Sequence, residues 1–490
     1  ELSGEVVQST TFILKNTQND DSKANYYRFV EYKTNEEKKT AFLNGSNYYP
    51  SVPQTNFAKI PGSPIAYWVS DRVINLFASC ENFETYGKPR QGLGTTNNQK
   101  FTKYWFEISN NKFNKNVIPS NKNTFQEKWY PYIKGGGFRK WYGSFLSVVN
   151  WQFNGKEIKE ALINKNPNIP RSERLYFRNG ITWSLISSGY FSARNVEEGF
   201  IFDVGGSMAF PENSNIKKYL LAILNSKLTY YFLKIINPTY NYQVGDIKKI
   251  PIIISDKHFN KVLDYVTKLV NIYRTDWNSH EYAWNFKLPP ILNNENSLYS
   301  SFQSWHTQML TQFLYIHTRE EGLNNLLTNI YNLDQEFNPN VPFREITILQ
   351  DEINLNKLEE AEKEYRKTGE LTHLPIKEDI VMSQLLSYMI GCMMGRYSLD
   401  KPGLIMANQG ESLNEAMEKH EIQEQSFPID EDGIVSFNGS NSYFADDASH
   451  RVKEFLIAVW GEKTLTENIN FLNECLGVDY EKWLVEKFWE

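Results

Sequence analysis

The period of the apolar residues changes at Pro251, and no single layer architecture satisfies both sides of that change. From about residue 85 to 255, short β-branched and aromatic runs alternate with glycine and asparagine loops, at 104–108, 147–153, 180–186, 193–196 and 200–204. Runs of this length and composition predict strands. One helix is predicted among them over 216–236, where Leu220, Ile223, Leu224, Leu228 and Tyr231 share a face. Beyond Pro251 the runs 257–273, 301–314, 320–331, 353–367, 378–394 and 448–456 favour helix, with acidic residues at their exposed positions. Residues 407–447 are polar, with a predicted hairpin near Asp432-Gly433, and the tail from Thr466 returns to helix.

Ahead of these blocks, residues 5–14 predict one or two buried strands, 26–33 a strand and 35–42 a helix. Pro61-Gly62-Ser63-Pro64 then breaks the chain, and 65–78 predicts a helix starting near Trp68 and Ser70. The expected fold class is mixed α+β in three domains. Residues 1–80 form a domain edge with a connector, 81–255 a mixed α/β domain, and 256–490 an acidic, mainly helical domain. Cys80, Cys392 and Cys475 are too few for a disulfide framework, and a reducing, cytoplasmic setting is expected. The seven histidines are scattered, so no metal site is expected. No apolar run approaches the roughly 20 residues that span a bilayer. The start at Glu1, without a methionine or an apolar leader, predicts a piece of a longer protein.

The net charge of −6 conceals a strong asymmetry. It is roughly zero over residues 1–80, roughly +12 over 81–250 and roughly −18 over 251–490. A polyanion responds to local charge, because counterion release scales with the phosphates neutralised at the contact. In the basic block, Lys134-Gly135-Gly136-Gly137-Phe138-Arg139-Lys140-Trp141-Tyr142-Gly143 crowds three cations and three aromatics around a glycine run. It reads as a nucleic-acid surface, with Lys134, Arg139 and Lys140 on phosphates and Trp141 and Tyr142 offering flat faces. The plainer reading is a hairpin with a solvated basic rim. A second loop, Pro89-Arg90-Gln91-Gly92-Leu93-Gly94-Thr95-Thr96-Asn97-Asn98, suits hydrogen bonding to base edges, and is otherwise a plain turn. Arg171, Arg174 and Arg178 stand at near-helical spacing and would line a groove as phosphate contacts, or else are simply solvated. Met382, Met389, Met393 and Met394 read as core filler. Asp21 with Glu31-Tyr32-Lys33 loosely fits a metal nuclease, a pattern common by chance.

The two loops resemble the "PRQGL-x-TGDN" and "KGG-x-FRKWYGN" elements of large adenine-specific DNA methyltransferases. Gly180-Ile181-Thr182-Trp183-Ser184, Asp203-Val204-Gly205-Gly206-Ser207 and Asn237-Pro238-Thr239-Tyr240-Asn241-Tyr242-Gln243-Val244-Gly245-Asp246-Ile247 complete that target-recognition signature. Ile60-Pro61-Gly62-Ser63-Pro64, Asp276-Trp277 and Gly391-Cys392-Met393-Met394-Gly395-Arg396 narrow the resemblance to the PglX methyltransferase family of BREX phage-defence systems. It runs along residues 1–490, while the family's amino-terminal part is missing from this sequence.

The resemblance implies that residues 1–80 carry the last strands of a methyltransferase sheet, and that 81–255 is a target-recognition domain holding duplex DNA. Its implied DNA contacts are Arg90, Gln91, Thr95, Thr96, Asn97, Asn98, Lys134, Arg139, Lys140, Trp141, Tyr142, Arg174, Arg178, Thr182, Trp183, Tyr240 and Gln243. No catalytic residue is expected. Adenine-N6 transfer uses an Asn-Pro-Pro-Tyr type loop and a glycine-rich turn for S-adenosylmethionine, and neither is present. Asn237-Pro238-Thr239-Tyr240 is a near-match, rejected because Thr replaces the second proline and a helix precedes it. The expected partners are duplex DNA, the missing amino-terminal region, other BREX components or a DNA-mimicking inhibitor. S-adenosylmethionine belongs to the intact protein and no cofactor to this chain. The acidic helices are poor DNA binders and are expected to dock on the basic domain or on another defence component. A rival reading makes the chain a protein-interaction module whose basic groove takes an acidic partner.

Overall fold

A computed structural model describes residues 10–16, 22–117, 125–162, 170–187, 189–423, 425–439 and 442–488. It is mixed α and β, with small sheets in the first half and helices in the second. Strand β1 (Lys23–Tyr27) and helix α1 (Asn35–Leu43) lead to β2 (Tyr48–Pro53), which pairs antiparallel with β1. The strand predicted over 26–33 stops at Tyr27. Tyr32 N–H closes a turn onto the Phe29 carbonyl, and the Lys33 and Thr34 N–H groups donate to the Glu37 carboxylate. Those donors complete a capping box and leave none for a ladder. Of the strands predicted over 5–14, residues 5–9 lie outside the described set, as does Asp21, and Phe12, Ile13 and Leu14 are irregular and exposed. Helix α2 (Asp71–Ser79) begins at Ser70, whose hydroxyl caps the Val73 N–H.

The basic block holds β3 (Glu81–Asn82), α3 (Phe83–Gly87), α4 (Asn98–Phe101), β4 (Thr102–Tyr104), β5 (Trp129–Ile133), β6 (Ser147–Asn150) and α5 (Gln152–Leu162). It continues through β7 (Gly180–Trp183), β8 (Ala193–Val196), β9 (Ile201–Phe202), β10 (Met208–Ala209), α6 (Ser214–Asn225), α7 (Lys227–Ile236), α8 (Val244–Ile247) and β11 (Pro251–Ile252). One sheet runs β4-β6-β5-β9, with β5 and β9 parallel, and a second runs β10-β7-β8. Strands β3 and β11 pair, so the block is entered and left side by side. The strands are shorter than predicted because glycine loops cross between the sheets. Gly135, at φ +93°, brings its Cα so close to the Gly205 carbonyl that an added Cβ would lie 2.7 Å from that oxygen. The close approach those glycines permit is to the chain itself. The helix predicted over 216–236 is two, since Ser226 turns extended and its hydroxyl donates to the Ile223 carbonyl at 2.6 Å.

The helical block comprises α9 (Phe259–Asn278), α10 (Leu298–Ile330), α11 (Leu355–Thr368), α12 (Glu378–Met393), α13 (Leu413–His420), α14 (Ala448–Trp460), α15 (Leu465–Leu476) and α16 (Tyr480–Glu486). The helices predicted over 301–314 and 320–331 merge into α10, because nothing between them breaks helical geometry. No strand flanks Asp432-Gly433. Met382, Met389 and Met393 fill the core beneath α12, whereas Met394 is exposed. Helix α6 packs on α9 and α7 on α10, and one apolar cluster runs from Ile60 to Leu484 through both blocks.

Candidate nucleic-acid interface

The 134–143 run turns inward after its glycines. Arg139 is 3% exposed, and its Nη2 lies 2.7 Å from Asp276 Oδ2 at the end of α9. Its Nε donates to the Tyr142 carbonyl and its Nη1 to Gln350 Oε1. Lys140, 4% exposed, places Nζ 2.7 Å from Glu320 Oε2 on α10 and 3.6 Å from Glu345 Oε2. The Trp141 indole N–H and the Tyr273 hydroxyl both donate to the other Glu320 oxygen. Tyr142 is buried, its phenol pushed up to about 12 by burial and by Glu197, against the opposing pull of Arg274. A buried cation is held by a matching carboxylate. These four positions therefore depart from the expected DNA surface: Arg139, Lys140, Trp141 and Tyr142 join the basic block to the chain's own acidic helices.

Further buried charges lie beside the joint, each bonded within its own block. His280 Nδ1 meets the Asp276 carbonyl and Nε2 meets Glu352 Oε1, each at 2.7 Å. Burial opposes charge on this imidazole, but the Glu352 hydrogen bond and the charges of Glu352 and Asp276 outweigh it and raise its pKa to about 9. Arg194, on β8 behind the glycine loop, is fully buried. Its Nη2 donates to Ser184 Oγ at 3.2 Å, and Nε and Nη1 meet no acceptor among the described residues. Burial and the neighbouring Arg139 lower its pKa to about 10.

Four further expected contacts are committed internally. Thr182 is buried and donates to the Ser207 carbonyl, and the Trp183 indole N–H donates to the Tyr242 carbonyl. Thr95 is buried with its hydroxyl on Asn98 Oδ1 at 2.6 Å. Arg90 pairs with Glu84 at 2.8 Å, and its backbone is bridged to Met208.

What remains in solvent is a smaller set. Thr96, Asn97 and Asn98 are exposed at the start of α4, where Thr96 takes φ +56° and Asn97 Oδ1 caps the Lys100 N–H. Arg174 and Arg178 are exposed and Lys134 is half-buried, and none of the three has a carboxylate partner among the described residues. Gln91 Oε1 accepts from Arg171 Nη1 at 2.6 Å, which ties the 89–98 loop to the arginine segment. Tyr240 and Gln243 are exposed on the turn before α8, with the Lys234 ammonium 4.6 Å from the Tyr240 ring. The Asn237 amide donates to the Asn241 carbonyl and Asp246 Oδ2, while its oxygen accepts from the Thr239 N–H and hydroxyl. No donor or acceptor of Asn237 is left for a substrate amine.

Sequence reasoning missed Glu320 and Glu345 as partners across the joint, and His280, Glu352 and Arg194 as buried charges beside it. Asp276 stood in a family motif without a role. The available signal was the opposite charge of the two blocks, which identifies partners in bulk and not pairwise.

No family model matches the chain. It is 34% identical over 486 residues to the adenine-specific methyltransferase BrxX of Escherichia coli O9:H4 (strain HS), covering 97% of this chain and 37% of that protein. It is 32% identical over 494 residues to the adenine-specific methyltransferase PglX of Lacticaseibacillus casei (strain Zhang), covering 97% and 38%. The chain thus spans little more than a third of the length of these relatives. Across nearly all of its own length it is PglX-like, in the manner of the adenine-specific methyltransferases BrxX and PglX.

Proposed function

We propose that this chain recognises the DNA target of an adenine-N6 methyltransferase of the BREX phage-defence type. The observation that carries the reading is the Gln91–Arg171 bond at 2.6 Å, which ties the loop bearing the exposed amides Asn97 and Asn98 to the segment bearing the exposed Arg171, Arg174 and Arg178. Arg171, Arg174, Arg178 and Lys134 would neutralise phosphates, and Asn97 and Asn98 would present donors and acceptors to base edges. Tyr240 and Gln243 would extend the contact. S-adenosylmethionine would belong to the intact protein, and no transfer step is assigned to these residues, since the Asn237 side chain, in the near-match to the adenine-accepting loop, is spent on internal bonds. The domain division at 80 and 255 belongs to the same proposal, with 81–255 as the DNA-holding part. Among the described residues no helix is long and apolar enough to cross a membrane.

The test is a fluorescence-anisotropy titration at several salt concentrations, using duplexes selected from a randomised pool. Arg174→Ala and Arg178→Ala should each weaken every duplex and lower the salt slope by about 1, whereas Asn97→Ala should relax sequence preference. Unchanged affinity and slope in both arginine variants would overturn the interface. Equal competition by scrambled and selected duplexes would favour the rival in which an acidic protein is the partner.

A further inference from the structure

A cleft of about 570 Å³ opens where the segment after β4 meets the loop after α12. Its walls are held together by backbone bonds: the Asn110 N–H donates to the Ala407 carbonyl, the Asn111 N–H to Asn408 Oδ1, and the Gln409 N–H to Ser109 Oγ. Lys103, Lys112, Lys128 and Arg396 line it, together with Phe106 and Trp129. None of these belongs to the proposed duplex interface.

The cleft's cations stand without carboxylate partners among the described residues. Lys103 and Lys112 are exposed, and among the described residues their ammonium groups have neither a carboxylate nor a hydrogen-bond partner, while the Lys128 ammonium lies 5.6 Å from the Trp129 ring. Arg396 donates Nε to the Tyr397 hydroxyl and lies 5.6 Å from the Trp105 ring; among the described residues no carboxylate is in salt-bridge reach, although its charge acts on the half-buried Glu281. The lining carboxylate, Glu107, accepts from the Tyr104 N–H through Oε2, and Asn408 Oδ1 accepts from the Asn111 N–H. Four cations facing one engaged carboxylate repel one another in the empty cleft and are relieved by an anion. Beside them, the half-exposed rings of Tyr104 and Phe106 stack at 5.3 Å and present a flat apolar surface. A volume in the range of small-molecule sites, a cationic wall and an open aromatic face match one ligand chemistry, phosphates attached to a planar base.

We propose that this cleft is a second binding site that takes a nucleotide, its phosphates on Lys103, Lys112, Lys128 and Arg396 and its base against Phe106. The nucleotide is either free or part of a strand. Calorimetric titration of the protein in EDTA with ATP, with inorganic tripolyphosphate and with a short deoxyadenosine oligonucleotide tests this. ATP and tripolyphosphate should bind saturably, and Lys112→Glu and Arg396→Glu should each weaken both by about tenfold or more. Phe106→Ala should weaken ATP and spare tripolyphosphate. An oligonucleotide that displaces ATP, and loses affinity in the same variants, assigns the site to a strand; ATP binding that the oligonucleotide does not contest assigns it to a free nucleotide. Lys103→Glu, at an exposed side chain, repeats the test without risk to the fold. Absence of saturable binding by all three probes, or binding indifferent to the charge reversals, overturns the proposal. Arg174→Ala and Arg178→Ala should leave ATP binding unchanged, so failure here is distinguishable from failure of the duplex interface.

Discussion

Lys140 carries its charge almost wholly out of water, and that decides what its substitution does. The ammonium lies 2.7 Å from Glu320, whose second oxygen already serves Trp141 and Tyr273. Lys140→Ala leaves a buried carboxylate without its cation, so the expected loss is about 3–5 kcal/mol of unfolding free energy in urea titration. Lys140→Met combined with Glu320→Gln and Glu345→Gln removes all three charges and should recover much of that loss. Lys140→Ala within about 0.5 kcal/mol of the parent would refute the joint, since that is the range of ordinary surface substitutions. None of this is legible locally. A run of cations beside aromatics has the same composition whether it faces phosphate or carboxylate, and the carboxylate is 180 residues away. Arg174 and Arg178 differ from Arg139 in their surroundings alone.

Where α9 ends, a cation is well placed: helix carbonyls lacking intrahelical donors favour positive charge. His280 supplies it, donating to the Asp276 carbonyl while Glu352 holds its other nitrogen. The surrounding groups are Glu352 and Asp276, the Tyr282 ring stacked at 4.9 Å, and Arg139 through its pair with Asp276. A folded pKa of about 9 against an ordinary 6.5 means that the folded protein holds this proton more tightly than the unfolded chain. The resulting stability is therefore complete below pH 6.5 and is lost as pH rises through 9. It amounts to on the order of 3 kcal/mol. Urea midpoints measured across this window should fall with pH, and His280→Gln should flatten the trend; an unchanged slope in that variant would contradict the assignment. Element placement itself was largely readable after Pro251, because 3.6-residue periodicity reports a buried helical face directly. In the basic block it was not. The β-like run at 104–108 forms a 3₁₀ turn at Trp105–Glu107, where the Glu107 carboxylate takes the Tyr104 N–H. Tertiary crossings at the glycine loops cut other strands to two or four residues.

At the scale of the whole molecule, charge segregation and the core act together. The positive and negative halves are drawn to each other, and α6 on α9 with α7 on α10 places apolar surface behind the ion pairs. The core cluster begins at Ile60, so the β1–β2 hairpin and α1 lie outside it. They are attached by local contacts such as the Tyr67 hydroxyl on the Tyr27 carbonyl and Arg28 over Trp68 at 4.1 Å. Residues 60–488 should consequently unfold as one unit despite the three-part reading of the sequence. Tryptophan fluorescence samples both blocks, through Trp129, Trp141, Trp151 and Trp183 in the basic one and Trp277, Trp305 and Trp460 in the helical one, whereas far-ultraviolet circular dichroism is dominated by the helical block. The two urea transitions should coincide. In Lys140→Ala they should separate, because a joint deprived of its cation no longer makes opening one block as costly as opening both. Two resolved transitions in the parent protein would instead mean that the core divides near residue 255, and that the buried ion pairs between the blocks do not bind them into one folding unit.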